Sequence, residues 1–268
     1  MFRLELARAV RRWRTYLFGA GLAGIPILIV LSLALSSSPP TSSPDNPPFL
    51  TLILSNGLFA PLTALAVIQP FFLPLGAGLL SGDSVAGEAS AGTLRYLLVR
   101  PVGRVRLVLV KYGFVMFSLA FGVAFLIVVG LVAGGIAFGL GPLPTLSGTS
   151  LSTVEVLGRT VLVAGYVLAG VAGIAAIGMF VSVLVDSAPG AAVAPVAVAI
   201  ASQILDHLDS LRAVHPFLIS HHWTDFVDLF RSPIPWTGML HGLFTFAVYT
   251  ALFLGGAVVL FVRRDVTS

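Results

Sequence analysis

The residues best suited to chemistry, four histidines and four aspartates, fall in one stretch, residues 206–235. They are His207, His215, His221, His222, Asp206, Asp209, Asp225 and Asp228. His221 and Asp225 stand four residues apart, so on a helix they would share a face and could bind a metal ion. Short amphipathic helices broken at Pro216, Pro233 and Pro235 would instead carry these side chains on solvated faces. Because ligand spacing alone is weak support for a site, we favour the solvated interpretation and assign no metal.

Motifs for nucleotide or hydrolytic chemistry are missing from the sequence. The single lysine, Lys111, lies in "VLVKYG" and not in the G-x-x-x-x-G-K-[ST] pattern of a phosphate-binding loop. Neither H-E-x-x-H nor G-x-S-x-G occurs, and there is no cysteine. Apart from His241, no acid, base or histidine pair lies deep inside an apolar run. We therefore expect no catalytic site, no proton coupling and no cofactor in this chain.

The composition indicates that a membrane is the solvent for most of the chain. The 268 residues are 57% hydrophobic and 10% charged, whereas soluble domains carry about 25% charged residues. So little charge cannot cover the surface of a soluble domain. The net charge of +4 is also too small to indicate nucleic-acid binding.

Six stretches between successive charged residues are long enough to cross a bilayer, which takes about 20 apolar residues in a helix. They are residues 15–44, 46–82, 112–154, 160–185, 187–205 and 232–262. Prolines are expected to kink the second stretch, at Pro61, Pro70 and Pro74. Pro189 and Pro195 make the fifth stretch the least secure of the six predicted helices. The third stretch should end in a polar outer loop. The predicted fold is an all-α membrane protein in which residues 1–268 form one domain with six transmembrane helices.

The basic residues are unevenly distributed over the loops of this six-span topology. Twelve of the 15 lie at the N-terminus, between spans two and three, or at the C-terminus. Arg159, Arg212 and Arg231 lie on the other side. The positive-inside rule places the twelve in the cytoplasm. We therefore expect a plasma-membrane protein with both termini cytoplasmic, and residues 206–235 outside.

Residues 1–14 are predicted to form an amphipathic helix in the membrane interface. One face is apolar and carries Phe2, Leu6, Ala9, Val10, Trp13 and Leu17, while arginines occupy the rest. Such a helix places the tryptophan at the boundary and the arginines toward anionic headgroups. A cleaved signal peptide is the other interpretation, but its apolar core is usually about 7–15 residues, whereas this one spans about 19.

The polar stretch "GEASAGTLRYLLVRPVGR", residues 87–104, stands between two apolar runs. With its flanks it resembles the cytoplasmic connection of ABC-2 type transporter permeases. That pattern has a glutamate, G-T-L, a leucine-rich turn, P-[VL]-x-R and an apolar run ending in lysine. The matching residues are Glu88, Gly92, Thr93, Leu94, Leu97, Leu98, Pro101, Val102, Arg104 and Lys111. The resemblance covers residues 79–113. The predicted N-terminal helix, six spans and outer helices also agree with the architecture of that family.

The resemblance implies a half-transporter of the type V exporter class. In that class two permease chains, identical or homologous, pair in the membrane, and each binds a separate ATPase at its cytoplasmic face. ATP and Mg²⁺ then belong to the two ATPase subunits, in agreement with the missing phosphate-binding loop. The segment after span two, here residues 81–106, acts as the coupling helix.

The residues of this segment suit that role. Those expected to couple to the ATPase are Glu88, Gly92, Thr93, Leu94, Arg95, Leu97, Leu98, Pro101 and Arg104. Gly87 and Gly92 would bracket a short "EASA" turn, and Thr93 would cap a helix that presents the leucines to a groove in the partner. Pro101 would end that helix. Glu88 is expected to pair with Arg95 or the N-terminal arginines, or to face the ATPase. A solvated loop that only obeys the charge rule is the alternative.

The predicted spans hold Phe, Leu, Val and Ala with almost no charge, which suits a hydrophobic or amphiphilic cargo such as a drug, lipid or peptide. Phe59, Phe71, Phe72 and Phe180 are candidates to line its path, with core packing as the alternative. Glycine pairs at Gly130/Gly134, Gly135/Gly139 and Gly238/Gly242 predict close helix packing within one chain. The alternative function is a membrane-integral scaffold that binds a cytoplasmic partner without transport.

Overall fold

The computed structural model describes residues 13–36, 46–90, 103–141, 143–144 and 150–263. Its helices are α1 (Trp13–Leu35), α2 (Ala60–Ile68), α3 (Phe72–Ser90), α4 (Arg104–Phe138), α5 (Thr153–Leu184), α6 (Ala188–Asp206) and α7 (Trp236–Arg263). Short 3-10 turns lie at Leu50–Leu52, Gly57–Phe59, Asp209–Leu211, His215–Phe217 and Asp225–Phe230. Extended structure in these ranges is limited to an antiparallel ladder of β1 (Leu143–Pro144) with β2 (Ser150–Leu151). The all-α prediction is confirmed.

Five helices are long and apolar enough to cross a membrane: α1, α4, α5, α6 and α7. The short helices α2 and α3 are bent by 61° at a break and add a sixth span if they form one broken span. Helix α4 begins at Arg104, before the uncharged stretch 112–154 in which the third span is predicted. The charges in its first turns do not end the helix. The predicted interfacial helix, 1–14, lies outside the described residues except for its last two, which begin α1.

The break between α2 and α3 covers residues 69–71 and contains one of the predicted kink prolines, Pro70. The carbonyl oxygen of Pro70 accepts a hydrogen bond from Gln203 Nε2 of α6 at 2.8 Å. A broken helix in lipid requires such a partner for the backbone group that the break exposes. Pro61 and Pro74 instead lie in the first turns of α2 and α3, where proline is well tolerated.

Helix α5 lies at the centre of the bundle and packs against α3, α6 and α7. Small residues allow the closest approaches. A Cβ added at Gly78 or Gly82 of α3 would overlap the backbone around Ala192 of α6. One added at Gly178 of α5 would overlap Ser81 of α3. The three helices are therefore in near-backbone contact, a geometry typical of helix packing in membranes.

The bundle has two distinct ends. At the first, α3, α5 and α7 end and α4 begins, around an apolar cluster of Val85, Leu107, Val108, Met179, Val183, Ala257 and Phe261. We call it the Glu88 end. At the second, the Asp206 end, α4 and α6 end and α5 and α7 begin. The connection after α3 and the segment 206–235 therefore lie at opposite ends, as the six-span topology predicts.

The outward faces of the long helices are apolar. Phe121, Val128 and Ile136 of α4 are exposed, as are Phe244 and Leu252 of α7. Apolar side chains on the outside of nearly every long helix would be a liability in water, but they suit contact with lipid tails. The chain is a multi-pass, all-helical membrane protein.

The predicted outer loop after the third span is present between α4 and α5. Helix α4 ends at Phe138 and is followed by Gly139, whose φ of 75° is in the left-handed region that favours glycine. The β1–β2 ladder follows. Helix α5 then begins with a capping box, in which the Ser152 hydroxyl accepts from the Glu155 N–H and the Glu155 side chain accepts from the Ser152 N–H.

The segment 206–235 folds differently from the prediction. It contains 3-10 turns in place of amphipathic α-helices, closed by hydrogen bonds between residues three apart, such as Val214 N to Leu211 O and Phe217 N to Val214 O. The expected shared face of His221 and Asp225 is therefore wrong. His221 contacts Asp206, and His222 contacts Asp225. Short turns between prolines do not have the 3.6-residue period on which the expectation rested.

Two of the three glycine pairs pack within the chain as predicted. Added Cβ atoms at Gly130 and Gly134 would overlap Pro61 and the Gly57 carbonyl, respectively. At the start of α7, Gly242 lies against Tyr166 in the same way, and Gly238 lies close to Asp225. The remaining pair ends α4 and makes no such contact between helices.

We expect Gly134→Leu to destabilise the protein and Gly113→Leu, on the same helix, to leave its stability nearly unchanged. An added Cβ at Gly113 has no heavy atom within 4 Å, whereas at Gly134 it meets the Gly57 backbone. Overpacking a close contact costs about 1–3 kcal/mol. Thermal unfolding in detergent measures the difference. Equal melting temperatures for the two variants would contradict the packing described here.

Candidate coupling site at the Glu88 end

The predicted coupling segment, residues 81–106, consists of the end of α3, the connection and the start of α4. Residues 81–90 continue α3, so the described part of the expected "EASA" turn is wrong. Alanine and glutamate favour helix here, and Ser90 Oγ donates to the Gly87 carbonyl at 3.0 Å within the last turn. The remaining predicted coupling residues before Arg104 lie outside the described residues; they are Gly92, Thr93, Leu94, Arg95, Leu97, Leu98 and Pro101.

An ion pair joins α3 and α4 on the two sides of this connection. Glu88 Oε2 lies 2.7 Å from Lys111 Nζ, and Nζ also donates to the carbonyl oxygen of Ser84 at 2.7 Å. The side chains of Glu88 and Lys111 are 15% and 9% exposed. Among the described residues Lys111 is therefore the partner of Glu88. The expected partners, Arg95 and the N-terminal arginines up to Arg12, lie outside the described residues.

The pair borders the apolar cluster of the Glu88 end. Val85 and Val108 of that cluster each stand three residues before a member of the pair, on the same helix face. A charge in such surroundings is costly unless an opposite charge or hydrogen bonds accompany it. The ammonium also lies beside the C-terminal turns of α3, where the helix dipole favours a cation. Each charge is thus compensated within the protein.

Ser182 of α5 connects to the same part of α3. Its Oγ accepts from the backbone N–H groups of Val85 and Ala86 at 3.1 and 2.9 Å, and donates to the Gly82 carbonyl at 2.8 Å. The hydroxyl thus lies between groups that ordinarily bond to each other within a helix. In lipid, where water cannot compete, such bonds connect two helices firmly.

Arg104, a predicted coupling residue, connects α4 to α7. Its Nη1 donates to the carbonyl oxygen of Val262 at 2.9 Å, in the last turn of α7. Four helices therefore meet at the Glu88 end: α3 and α4 through the ion pair, α5 through Ser182, and α7 through Arg104.

The four phenylalanines proposed for the cargo path occupy different places. Phe59 is buried and packs against Phe49 and Phe230, with ring centroids 5.4 and 6.5 Å away. Phe180 packs against the apolar cluster of the Glu88 end and lies 5.6 Å from the ring of Phe253. The other two, Phe71 and Phe72, are exposed neighbours at the break before α3. Phe59 and Phe180 thus belong to separate packing clusters.

Sequence reasoning missed the roles of Lys111 and Ser182. Lys111 was noted only as the end of the quoted pattern, although a lone lysine between apolar residues already indicates a need for a buried acid. Glu88, one of few acids near a predicted span, was the available partner. Ser182 carries no such signal, because a serine in a membrane helix usually bonds to its own backbone.

A double-mutant cycle should reveal the ion pair. Removing one partner of a fully buried pair costs about 3–5 kcal/mol, and the remaining exposure here reduces our expectation to about 1–3 kcal/mol for Glu88→Gln or Lys111→Met alone. The double variant should recover much of that loss, because it leaves no unpaired charge. Thermal unfolding of all four proteins gives the coupling free energy. Additive losses would contradict the pair.

Comparison with known proteins places these features in context. Over 116 residues the chain is 37% identical to the probable ABC transporter permease protein NosY of Stutzerimonas stutzeri. The match spans 41% of this chain and 41% of that protein, so well under half of either is aligned. A family model described as "Protein of unknown function (DUF2705)" matches residues 48–267, most of the chain. The chain belongs to that family, DUF2705.

Proposed function

We propose that this chain is the transmembrane permease subunit of an ATP-binding cassette exporter of the ABC-2 type. The Glu88–Lys111 ion pair carries the proposal. It links the two helices that enter and leave the predicted coupling segment, and both residues belong to the pattern on which the resemblance rests. The partial similarity to a protein named as an ABC transporter permease supports the same conclusion.

In the proposed mechanism the ATPase binds residues 91–103 at the cytoplasmic face. Leu94, Leu97 and Leu98 enter a groove of the ATPase, while Arg95 meets acidic groups at its rim. Closure of two ATPase subunits upon ATP and Mg²⁺ then displaces the connection. Because the Glu88–Lys111 ion pair joins α3 and α4, the displacement of the connection reaches both helices at once. A second permease chain, identical or homologous, completes the transporter.

The proposed cargo is hydrophobic or amphiphilic and is moved outward across the plasma membrane. The outward and inward faces of the long helices carry aliphatic and aromatic groups, which offer no compensation for the desolvation of a bare ion. Of the four candidate path residues, Phe71 and Phe72 are the ones exposed, 46% and 40%, at the break between α2 and α3. We therefore propose these two side chains as contacts of the cargo.

The proposal predicts that an ATP-binding subunit copurifies from native membranes and that its ATPase rate changes in the presence of this chain. Leu97→Asp should abolish both the rate change and transport, because it places a charge in the apolar contact with the ATPase. Leu208→Asp, an equal change of an exposed leucine at the opposite end, is the control. Copurification without any effect on the ATPase rate would favour the scaffold, and absence of an ATPase would refute the proposal.

Single cysteines can test the orientation, since the chain has none of its own. Arg212→Cys, at an exposed position in the segment 206–235, should react with a membrane-impermeant thiol reagent in intact cells. Ser268→Cys should react only after the cells are opened. The reverse pattern would overturn the predicted orientation, and labelling of both in intact cells would contradict the cytoplasmic C-terminus.

A further inference from the structure

Three side chains with metal-binding atoms meet at the Asp206 end, far from the coupling segment. Asp206 is the last residue of α6, His215 begins a 3-10 turn, and His221 follows a few residues later. One oxygen or nitrogen atom from each lies within 4.8 Å of those of the other two. The three side chains are 21%, 14% and 37% exposed, so the cluster is shielded but reachable from solvent.

The fold brings the three together through a second contact one turn earlier on α6. The hydroxyls of Ser202 and Ser220 lie 2.7 Å apart, and the Ser220 N–H donates to Ser202 Oγ at 3.1 Å. Ser202 and Asp206 are four residues apart and share a helix face. Their contacts, Ser220 and His221, are consecutive in the segment that returns to α6. This register places His221 opposite Asp206 without help from an ion.

The distances are close to those of a metal site. Asp206 Oδ1 lies 2.6 Å from His221 Nδ1 and 3.8 Å from His215 Nδ1. Two ligand atoms of a tetrahedral Zn²⁺ ion stand about 3.4 Å apart, given metal–ligand bonds of about 2.0–2.1 Å. The first distance must therefore lengthen and the second shorten, each by less than about 1 Å, which small rotations of these partly exposed side chains can supply.

The hydrogen bonds of His215 direct one of its ring nitrogens at the aspartate. Its Nε2 lies 3.2 Å from the carbonyl oxygen of Leu208, which can only accept, so Nε2 carries a proton. In the neutral ring Nδ1 then carries no proton, and its lone pair faces the carboxylate of Asp206. The ring nitrogen and the carboxylate thus offer two lone pairs to the same space, which is what a bound cation needs. A ring N–H donated to a backbone carbonyl is also the usual second contact of a metal-binding histidine.

We propose that Asp206, His215 and His221 bind a divalent transition-metal ion of the Zn²⁺ class. Two imidazoles and one carboxylate are a donor set that catalytic Zn²⁺ sites use, with a fourth position left to water or another ligand. Mg²⁺ and Ca²⁺ prefer all-oxygen sites, and Cu⁺ prefers sulfur, which no cysteine supplies here. His222 is not part of this cluster of ligand atoms, and its Nδ1 contacts Asp225 at 2.9 Å.

The test is a Zn²⁺ titration of the full-length chain in detergent, purified without a histidine tag. We expect saturable binding of one ion per chain by calorimetry. His215→Ala and His221→Ala should each weaken binding at least tenfold. His207→Ala is the matched control, because His207 is an exposed histidine next to Asp206 whose Nδ1 contacts the Gln203 carbonyl instead. It should bind as the unaltered chain does.

Measurements on the unaltered chain keep the test decisive if a variant fails to fold. X-ray absorption of the zinc-loaded protein should show two imidazoles and oxygen ligands, and Co²⁺ should give the visible absorption of a four-coordinate ion. No saturable binding, an all-oxygen first shell, or an equal loss with His207→Ala would overturn the proposal. In that case the three residues form only a proton-linked network. None of these outcomes depends on the ATPase, so they leave the proposed function untouched.

Discussion

Every polar or charged group along these helices must find its partner inside the protein, because lipid offers none. The constraint explains the most specific contacts of the fold. Lys111 is compensated by Glu88 and by the Ser84 carbonyl. The carbonyl that the break at Pro70 exposes accepts from Gln203. In both places the partner comes from a different helix, so satisfying a local need also fixes how two helices pack.

The same constraint separates the molecule into polar ends and an apolar middle. The ion pair and Arg104 belong to one end, and the aspartate and histidine contacts belong to the other. Between these ends the described helices carry no charged residues that could determine how they pack. Glycines determine the packing there instead. Gly78 and Gly82 allow the backbone of α6 to pack directly against α3, and Gly178 allows Ser81 of α3 to pack directly against α5. Close packing between small residues is therefore what holds α3, α5 and α6 in register in the middle of the bundle.

Composition and proline placement were enough to predict five apolar helices, the outer loop after α4 and a break at one of the three candidate prolines, Pro70, because each follows from local chemistry. The glycine contacts of Gly130 and Gly134 also followed from spacing alone. The partners of Glu88 and His221 did not. Their choice depends on how α3 meets α4 and how the segment 206–235 returns to α6, which are tertiary facts. The 3-10 turns of that segment have no periodic pattern that a sequence could reveal.

The two ends are mechanically connected through α6. Its start packs on α3, which carries Glu88, and its last residue is Asp206, so a rigid displacement of α3 reaches the opposite end of the bundle. There the segment 206–235 already bonds to α7, because Tyr249 donates to the Phe217 carbonyl at 3.1 Å. A metal ion held by Asp206 and the two histidines would join α6 to that segment and thus to α7. It would stiffen this end of the bundle.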